Sequence, residues 1–448
     1  MRILVLNNLY APHILEPDHL RVATICDALE QRGHEIHVLT SHHGIYKTYS
    51  DGKVDRMLRL NGVFDHPPIK KAGELKPLEE ANNQALNNAI EQFQPEIIYI
   101  GSLQGIGKSL MLHVINTGLP HVFDVADTWI ADELCSDPWL VYWNGKEVPF
   151  AQKLTRSGSA LFGKRKKADE LTPTGIYENG KRVKGLFDSG VDLANYRSNA
   201  RHAFKFSRLF FCSQPLQNAI VHEGFNVGHG EFIQPGVSAH AFHGDVKLAD
   251  SPTKKFLATP KMNNDSGTNT ALKALTILRS QGIQCSLTLC GVGDSDYEAR
   301  IKNVALTEKL PVKFRKLGDP AKELPDIYRA HDAFLYTSEV EEGWVAAPLQ
   351  AMACGLPAIV SDVLAANDFY RSRHNCLVFA AQDAGLLAGR MQDLIQDDAA
   401  RCQLAATGQM EVFAIYDEVR MIDRIERYLQ RTLEYWEDYR NGAVDEQE

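Results

Sequence analysis

The sequence lacks any run of roughly eighteen uninterrupted apolar residues, so no segment is expected to cross a membrane as a helix. Its apolar start, Met1-Arg2-Ile3-Leu4-Val5-Leu6, is too short for a signal peptide. No C-x-x-C pair occurs among the 8 cysteines (Cys26, Cys135, Cys212, Cys285, Cys290, Cys354, Cys376 and Cys402), which are scattered and mostly lie in apolar segments. Such thiols behave as small core residues, so the expectation is a reducing, cytoplasmic setting without a metal site. Positive charge is not in excess: 48 Lys and Arg against 57 Asp and Glu give a net charge of −9, which argues against bulk nucleic-acid binding. What is present is ordinary for a soluble protein, 44% hydrophobic and 23% charged, in a chain of 448 residues that exceeds one usual hydrophobic core and implies about two domains.

Short aliphatic runs alternate with segments of helical period, the pattern of βαβ units around a parallel sheet, and the pattern occurs twice. In the first half the runs are Ile3 to Leu6, Ile36 to Leu39, Glu96 to Ile100, Val122 to Val125 and Arg208 to Cys212. Asp18 is placed to cap a helix whose apolar face is Val22, Ile25, Cys26 and Leu29. The second half carries Lys255 to Ala258, Ser286 to Cys290, Val312 to Phe314 and Ala333 to Tyr336, with helices beginning near Gly267, Asp296, Leu324 and Ala346. The expected fold class is therefore α/β, with two Rossmann-like doubly wound domains facing a cleft. The expected domains are 1–236 with an irregular insertion at about 130–203, 237–420, and a returning helix with an acidic tail at 421–448. Ligands of such sheets lie at the carboxyl ends of the strands, so residues just after strands are the candidates for function.

The run from Ser338 to Pro357 joins an acidic, Gly-containing loop directly to an apolar helix. Free backbone N–H groups and the positive end of a helix dipole beside Glu342 and Gly343 suit a phosphorylated, hydroxyl-rich ligand. The plainer reading is an acidic loop ahead of a core helix that ends at Cys354-Gly355-Leu356-Pro357.

Five segments, each at the end of its expected element, carry a family resemblance. They are Asn7-Asn8-Leu9-Tyr10-Ala11-Pro12-His13, Gln234-Pro235-Gly236-Val237 with Phe242, Cys290-Gly291-Val292-Gly293-Asp294, Leu324 to Asp332, and the run from Ser338 to Pro357. With these the chain resembles the retaining nucleotide-sugar glycosyltransferases of family 4, which have the GT-B fold. The resemblance implies a metal-independent hexosyltransferase that needs no cofactor beyond its nucleoside-diphosphate sugar donor and acts on a glycan, lipid-linked or small-molecule acceptor in polysaccharide or glycoconjugate synthesis. It puts Glu342 on the donor sugar, Lys261 on the diphosphate, and Gly291 and the loop from Gly343 through Trp344 to Val345 beside the donor. Gln350 falls where a second Glu usually binds the ribose, and Ser266 falls where a second cation is usual. In the first domain Asp127 is retained after Ala126, which replaces a common His, and Leu15-Glu16-Pro17-Asp18 replaces a Gly-Gly loop. Asn8 and Tyr10 are expected either to line the acceptor side or to hold their own loop together. Asp127 either faces the cleft or caps the segment after it, and Lys261 either meets phosphate or is a solvated lysine at a strand end.

The departures at Ser266, Gln350 and Ala126 keep open two alternatives: a non-catalytic GT-B subunit that binds a glycan, nucleotide or partner transferase, and a nucleotide-sugar epimerase. The basic cluster Lys164-Arg165-Lys166-Lys167 is followed by Asp169 and Glu170, so a solvated face is favoured over peripheral membrane contact.

Overall fold

The structure is a computed structural model that describes residues 1–13, 17–43, 49–50, 52–107, 109–126, 129–130, 177–178, 181–182, 208–222, 227, 230–247, 253–318, 320–340, 345–365 and 369–441. The Lys164 to Lys167 cluster and nearly all of the 130–203 insertion lie outside them. The chain divides into two compact units, Met1–Ile233 with Ile422–Glu448, and Gln234–Met421.

The first unit runs β1 (Arg2–Asn7), α1 (Pro17–Gln31), β2 (Glu35–Ser41), β3 (Tyr49–Ser50), β4 (Val54–Leu58), α2 (Ala72–Phe93), β5 (Ile97–Ile100), α3 (Ser109–Asn116), β6 (His121–Val125), β7 (Leu209–Phe211), α4 (Gln214–His222) and β8 (Glu231–Phe232). These strands form one sheet in the order β8-β7-β6-β5-β1-β2-β4-β3. Every pairing is parallel except that of β3 with β4. Strands buried on both faces read as unbroken apolar runs, which is why Ile97-Ile98-Tyr99-Ile100 is wholly buried at the centre.

The second unit runs β9 (Lys255–Ala258), α5 (Thr268–Ser280), β10 (Ser286–Leu289), α6 (Ser295–Thr307), β11 (Val312–Phe314), α7 (Pro320–Arg329), β12 (Ala333–Tyr336), α8 (Ala347–Ala353), β13 (Ala358–Ser361), α9 (Asp362–Ala365), β14 (Leu377–Phe379), α10 (Ala384–Gln396) and α11 (Asp398–Ile415). Its sheet is parallel throughout, in the order β11-β10-β9-β12-β13-β14. Successive side chains of a strand point to opposite faces. On β9, Phe256 and Ala258 accordingly pack with Leu272 and Leu275 of α5, while Leu257 packs with Tyr328 of α7 and Leu349 of α8.

The last helix, α12 (Glu418–Arg440), returns to the first unit. Trp436 is buried against Ile115, its Nε1 donates to the Gly118 carbonyl at 3.3 Å, and the Tyr428 hydroxyl donates to the Leu209 carbonyl at 2.8 Å. Among the described residues no helix is long and apolar enough to cross a membrane, the seven cysteines are free thiols, and no group of three or more His, Cys, Asp or Glu is arranged to hold a metal ion.

Candidate active site

Three loops of the second unit leave the carboxyl ends of neighbouring strands: residues 259–267 after β9, 290–294 after β10 and 337–346 after β12. They are fastened to one another. Residues 261–262 pair in parallel with 292–293, the Glu339 amide donates to the Asp265 carbonyl at 2.8 Å, and the Thr337 hydroxyl donates to the Ser266 carbonyl at 2.8 Å. Gly267 opens α5 with φ +64°, and a Cβ there would fall 1.7 Å from the Thr337 carbonyl oxygen, so only glycine fits this approach. Gly291 is also closely held, since a Cβ would lie 2.5 Å from the Pro260 carbonyl oxygen.

On this floor Lys261 is exposed, directly after β9. Ser266 is buried and committed to its loop: its hydroxyl lies 2.8 Å from the Asn263 carbonyl, 2.8 Å from Thr268 Oγ1 and 3.3 Å from the Tyr297 hydroxyl. Where a cation would project outward, this chain has a hydroxyl turned inward. Val345 and Ala346 are buried and lead into α8. On α8, Gln350 is buried and its Oε1 accepts from the Tyr328 hydroxyl at 3.2 Å, while its amide NH2 has no partner among the described residues. Burial holds the Tyr328 phenol well above its ordinary value, so this donor stays protonated. Glu342, Gly343 and Trp344 lie outside the described residues.

At the strand ends of the first unit, Asn8 is fully buried and used locally: its Oδ1 accepts from the Leu9 amide at 2.8 Å and its Nδ2 donates to the Gln104 carbonyl at 3.3 Å. Tyr10 is buried beside Cys26 of α1, and desolvation raises its pKa. Both side chains sit within the unit, holding the loop after β1. Asp127 and the Leu15-Glu16 pair lie outside the described residues. Just ahead of Asp127, however, Asp124 of β6 is buried, ion-paired with Arg21 of α1 and hydrogen-bonded by the Tyr99 hydroxyl of β5. Sequence reading passed over this network, because an Arg in an amphipathic helix and an Asp in an apolar strand have no telling spacing. A charge inside an otherwise apolar strand is the signal that was available, since buried charges need partners.

Residues 243–410 match the family model described as glycosyl transferases group 1. The segment contains the three fastened loops of the second unit. No curated protein sequence matches the chain. Among solved structures, sucrose-phosphate synthase from Thermosynechococcus elongatus is similar with a TM-score of 0.65 at 15% identity, covering 97% of this chain and 99% of that one. HepE from Anabaena, in complex with UDP and glucose, has a TM-score of 0.61 at 15% identity over 96% of this chain and 100% of that one. An alpha,alpha-trehalose-phosphate synthase (UDP-forming) from Burkholderia vietnamiensis has a TM-score of 0.58 at 13% identity, covering 96% and 97%. The fold is GT-B. The matched segment and the shared fold support glycosyl transfer from a nucleotide sugar as the reaction class.

Proposed function

We propose that the chain transfers a hexose from a nucleoside diphosphate to an acceptor hydroxyl with retention of anomeric configuration, in the manner of the family 4 enzymes it resembles. The observation that carries this reading is the locked floor of the second unit, where Gly267 and Thr337 bring the loops after β9 and β12 into backbone contact inside the segment matched to the group 1 transferases. HepE is described in complex with UDP-glucose, which supports a nucleoside-diphosphate sugar as donor here.

In this reading the bond from the anomeric carbon to the diphosphate breaks as negative charge grows on the leaving oxygen. Lys261 and the backbone amides from Gly343 to Val345 meet that charge, and fixed donors aimed at developing charge lower the barrier without reorganising. Glu342 orients the donor sugar, and the NH2 of Gln350 donates to a ribose hydroxyl. The acceptor hydroxyl attacks on the leaving-group side and passes its proton to the departing diphosphate, so no side-chain base and no metal are required. The test is Glu342→Ala assayed for transfer from UDP- and GDP-sugars to an acceptor extract. A loss of about a hundredfold or more is expected, and activity close to the parent would remove Glu342 from the mechanism.

A further inference from the structure

Four imidazoles gather at the carboxyl ends of the first unit's strands. His13 follows β1, His42 and His43 follow β2, and His66 follows β4. Ring centroids lie 6.1 Å apart for His13 and His43, 5.5 Å for His43 and His66, and 5.7 Å for His42 and His66. All four are half-buried and reachable by solvent, and Phe64 stands edge-on to His43 at 6.2 Å. The loop that delivers His66 is strained. Phe64 and Asp65 have φ of +50° and +64°, a conformation that Asp tolerates and a bulky Phe avoids.

The hydrogen bonds fix what the cluster offers. His42 Nδ1 lies 2.8 Å from the Leu58 carbonyl and must donate to it, so in the neutral ring Nε2 is a bare acceptor. His43 Nδ1 and His66 Nε2 are 3.3 Å apart, so one donates and the other accepts, and the outer nitrogens of the pair then present one acceptor and one donor. The His13 ring makes no hydrogen bond to another described side chain and adds one of each. Burial lowers the pKa of His13, His43 and His66, helped by Arg56 for His13 and by neighbouring imidazoles for the other two, while Asp65 opposes this at His43 and His66. Burial therefore favours the neutral form of His13, His43 and His66. A surface with bare acceptors beside N–H donors suits a ligand that brings both donors and acceptors, as sugar hydroxyls do, and leaves its acceptors unmatched against a phosphate dianion, which only accepts. Among the described residues no group of three or more His, Cys, Asp or Glu is arranged to hold a metal ion.

We propose that His13, His42, His43 and His66 form the recognition surface for an uncharged, hydroxyl-rich acceptor. This rests on the proposed transfer to an acceptor hydroxyl, and it adds the acceptor's place in the first unit and its charge class.

The test is saturation-transfer NMR of the full chain with glucose, sucrose and glucose 6-phosphate at about pH 7.5 and about pH 5. Signal is expected from the unphosphorylated sugars at the higher pH, with loss at the lower as His13, His43 and His66 take protons, a change their burial places below the ordinary 6.5. His43→Ala and His66→Ala should abolish it, whereas His66→Gln, which keeps a donor and an acceptor but does not titrate, should restore part of it and flatten the pH response. Preference for glucose 6-phosphate that grows with acidity, sugar signal that survives both alanine variants, or no signal from any sugar would each overturn the proposal. UDP binding, followed in the same samples, reports separately on the second unit. Its loss with sugar binding intact would sink the transferase reading and leave a sugar-binding surface without an acceptor's role.

Discussion

Gly267 concentrates the demands of the donor floor in one residue. Alanine there needs a left-handed backbone and 1.7 Å of space that the Thr337 carbonyl already fills. Gly267→Ala is expected to destabilise the second unit by more than about 1 kcal/mol and to weaken UDP binding with it, read by chemical denaturation and calorimetry. Gln350 is a gentler case. If its NH2 meets the ribose, Gln350→Ala should weaken UDP binding by roughly tenfold with stability little changed beyond the lost Tyr328 bond, a shift calorimetry resolves. His121 supplies a pH signature. Burial in the core between Phe123 and Trp436 pushes its pKa down to about 4 from 6.5, so the folded state keeps it neutral while the unfolded chain binds a proton below about pH 6.5. Its stabilising contribution is whole above that pH and is lost as pH falls toward about 4, by roughly 3 kcal/mol in all. His121→Phe should flatten the stability profile in that window by nearly one proton, whereas an unchanged slope would mean that His121 is not the group responsible. Residue by residue, Gly267 was legible because a glycine between a strand and a helix announces a special backbone. The inward turn of Ser266 was not, because only the fold shows that Asn263, Thr268 and Tyr297 surround it.

The helix α12 is worth a separate measurement. Trp436 is 1% exposed, touches His121 at 5.2 Å between ring centroids, and donates to Gly118, so Trp436→Ala should cost the first unit about 3–5 kcal/mol. Hydrogen exchange would locate the loss in β6, α3 and α12 while the second unit keeps its protection. A uniform loss across both units would contradict that seat for the helix. Among the strands, β5 and β12 could be read from the sequence because the runs are unbrokenly apolar and almost wholly buried, and β9 because only its first residue, Lys255, is charged and exposed. By contrast β4, Val-Asp-Arg-Met-Leu, was hidden by its charges. Arg56 is 1% exposed with its guanidinium spent on the carbonyls of Tyr10 and Ala11, so a polar letter occupies a core position. The strand β13, Ala-Ile-Val-Ser after Leu356-Pro357, had an apolar signal that the helix before it overshadowed. The histidine cluster had no signal in spacing at all, since β1, β2 and β4 bring together positions that are far apart in sequence.

The chain folds into two units, each built on a sheet of parallel strands apart from β3 in the first; the second carries the group 1 transferase match and a fastened loop floor, and the first presents polar side chains at its own strand ends. The central claim is that the second unit binds a nucleoside diphosphate so that its sugar can be transferred. It is tested most directly by calorimetric titration of the full chain with UDP, GDP and their sugars, alongside Lys261→Ala. Saturable binding of one of these nucleotides is predicted, weakened about tenfold or more when Lys261 is removed, because a diphosphate loses one of its charge-assisted partners. No binding of any of them up to millimolar concentration, or full binding without Lys261, would contradict the account.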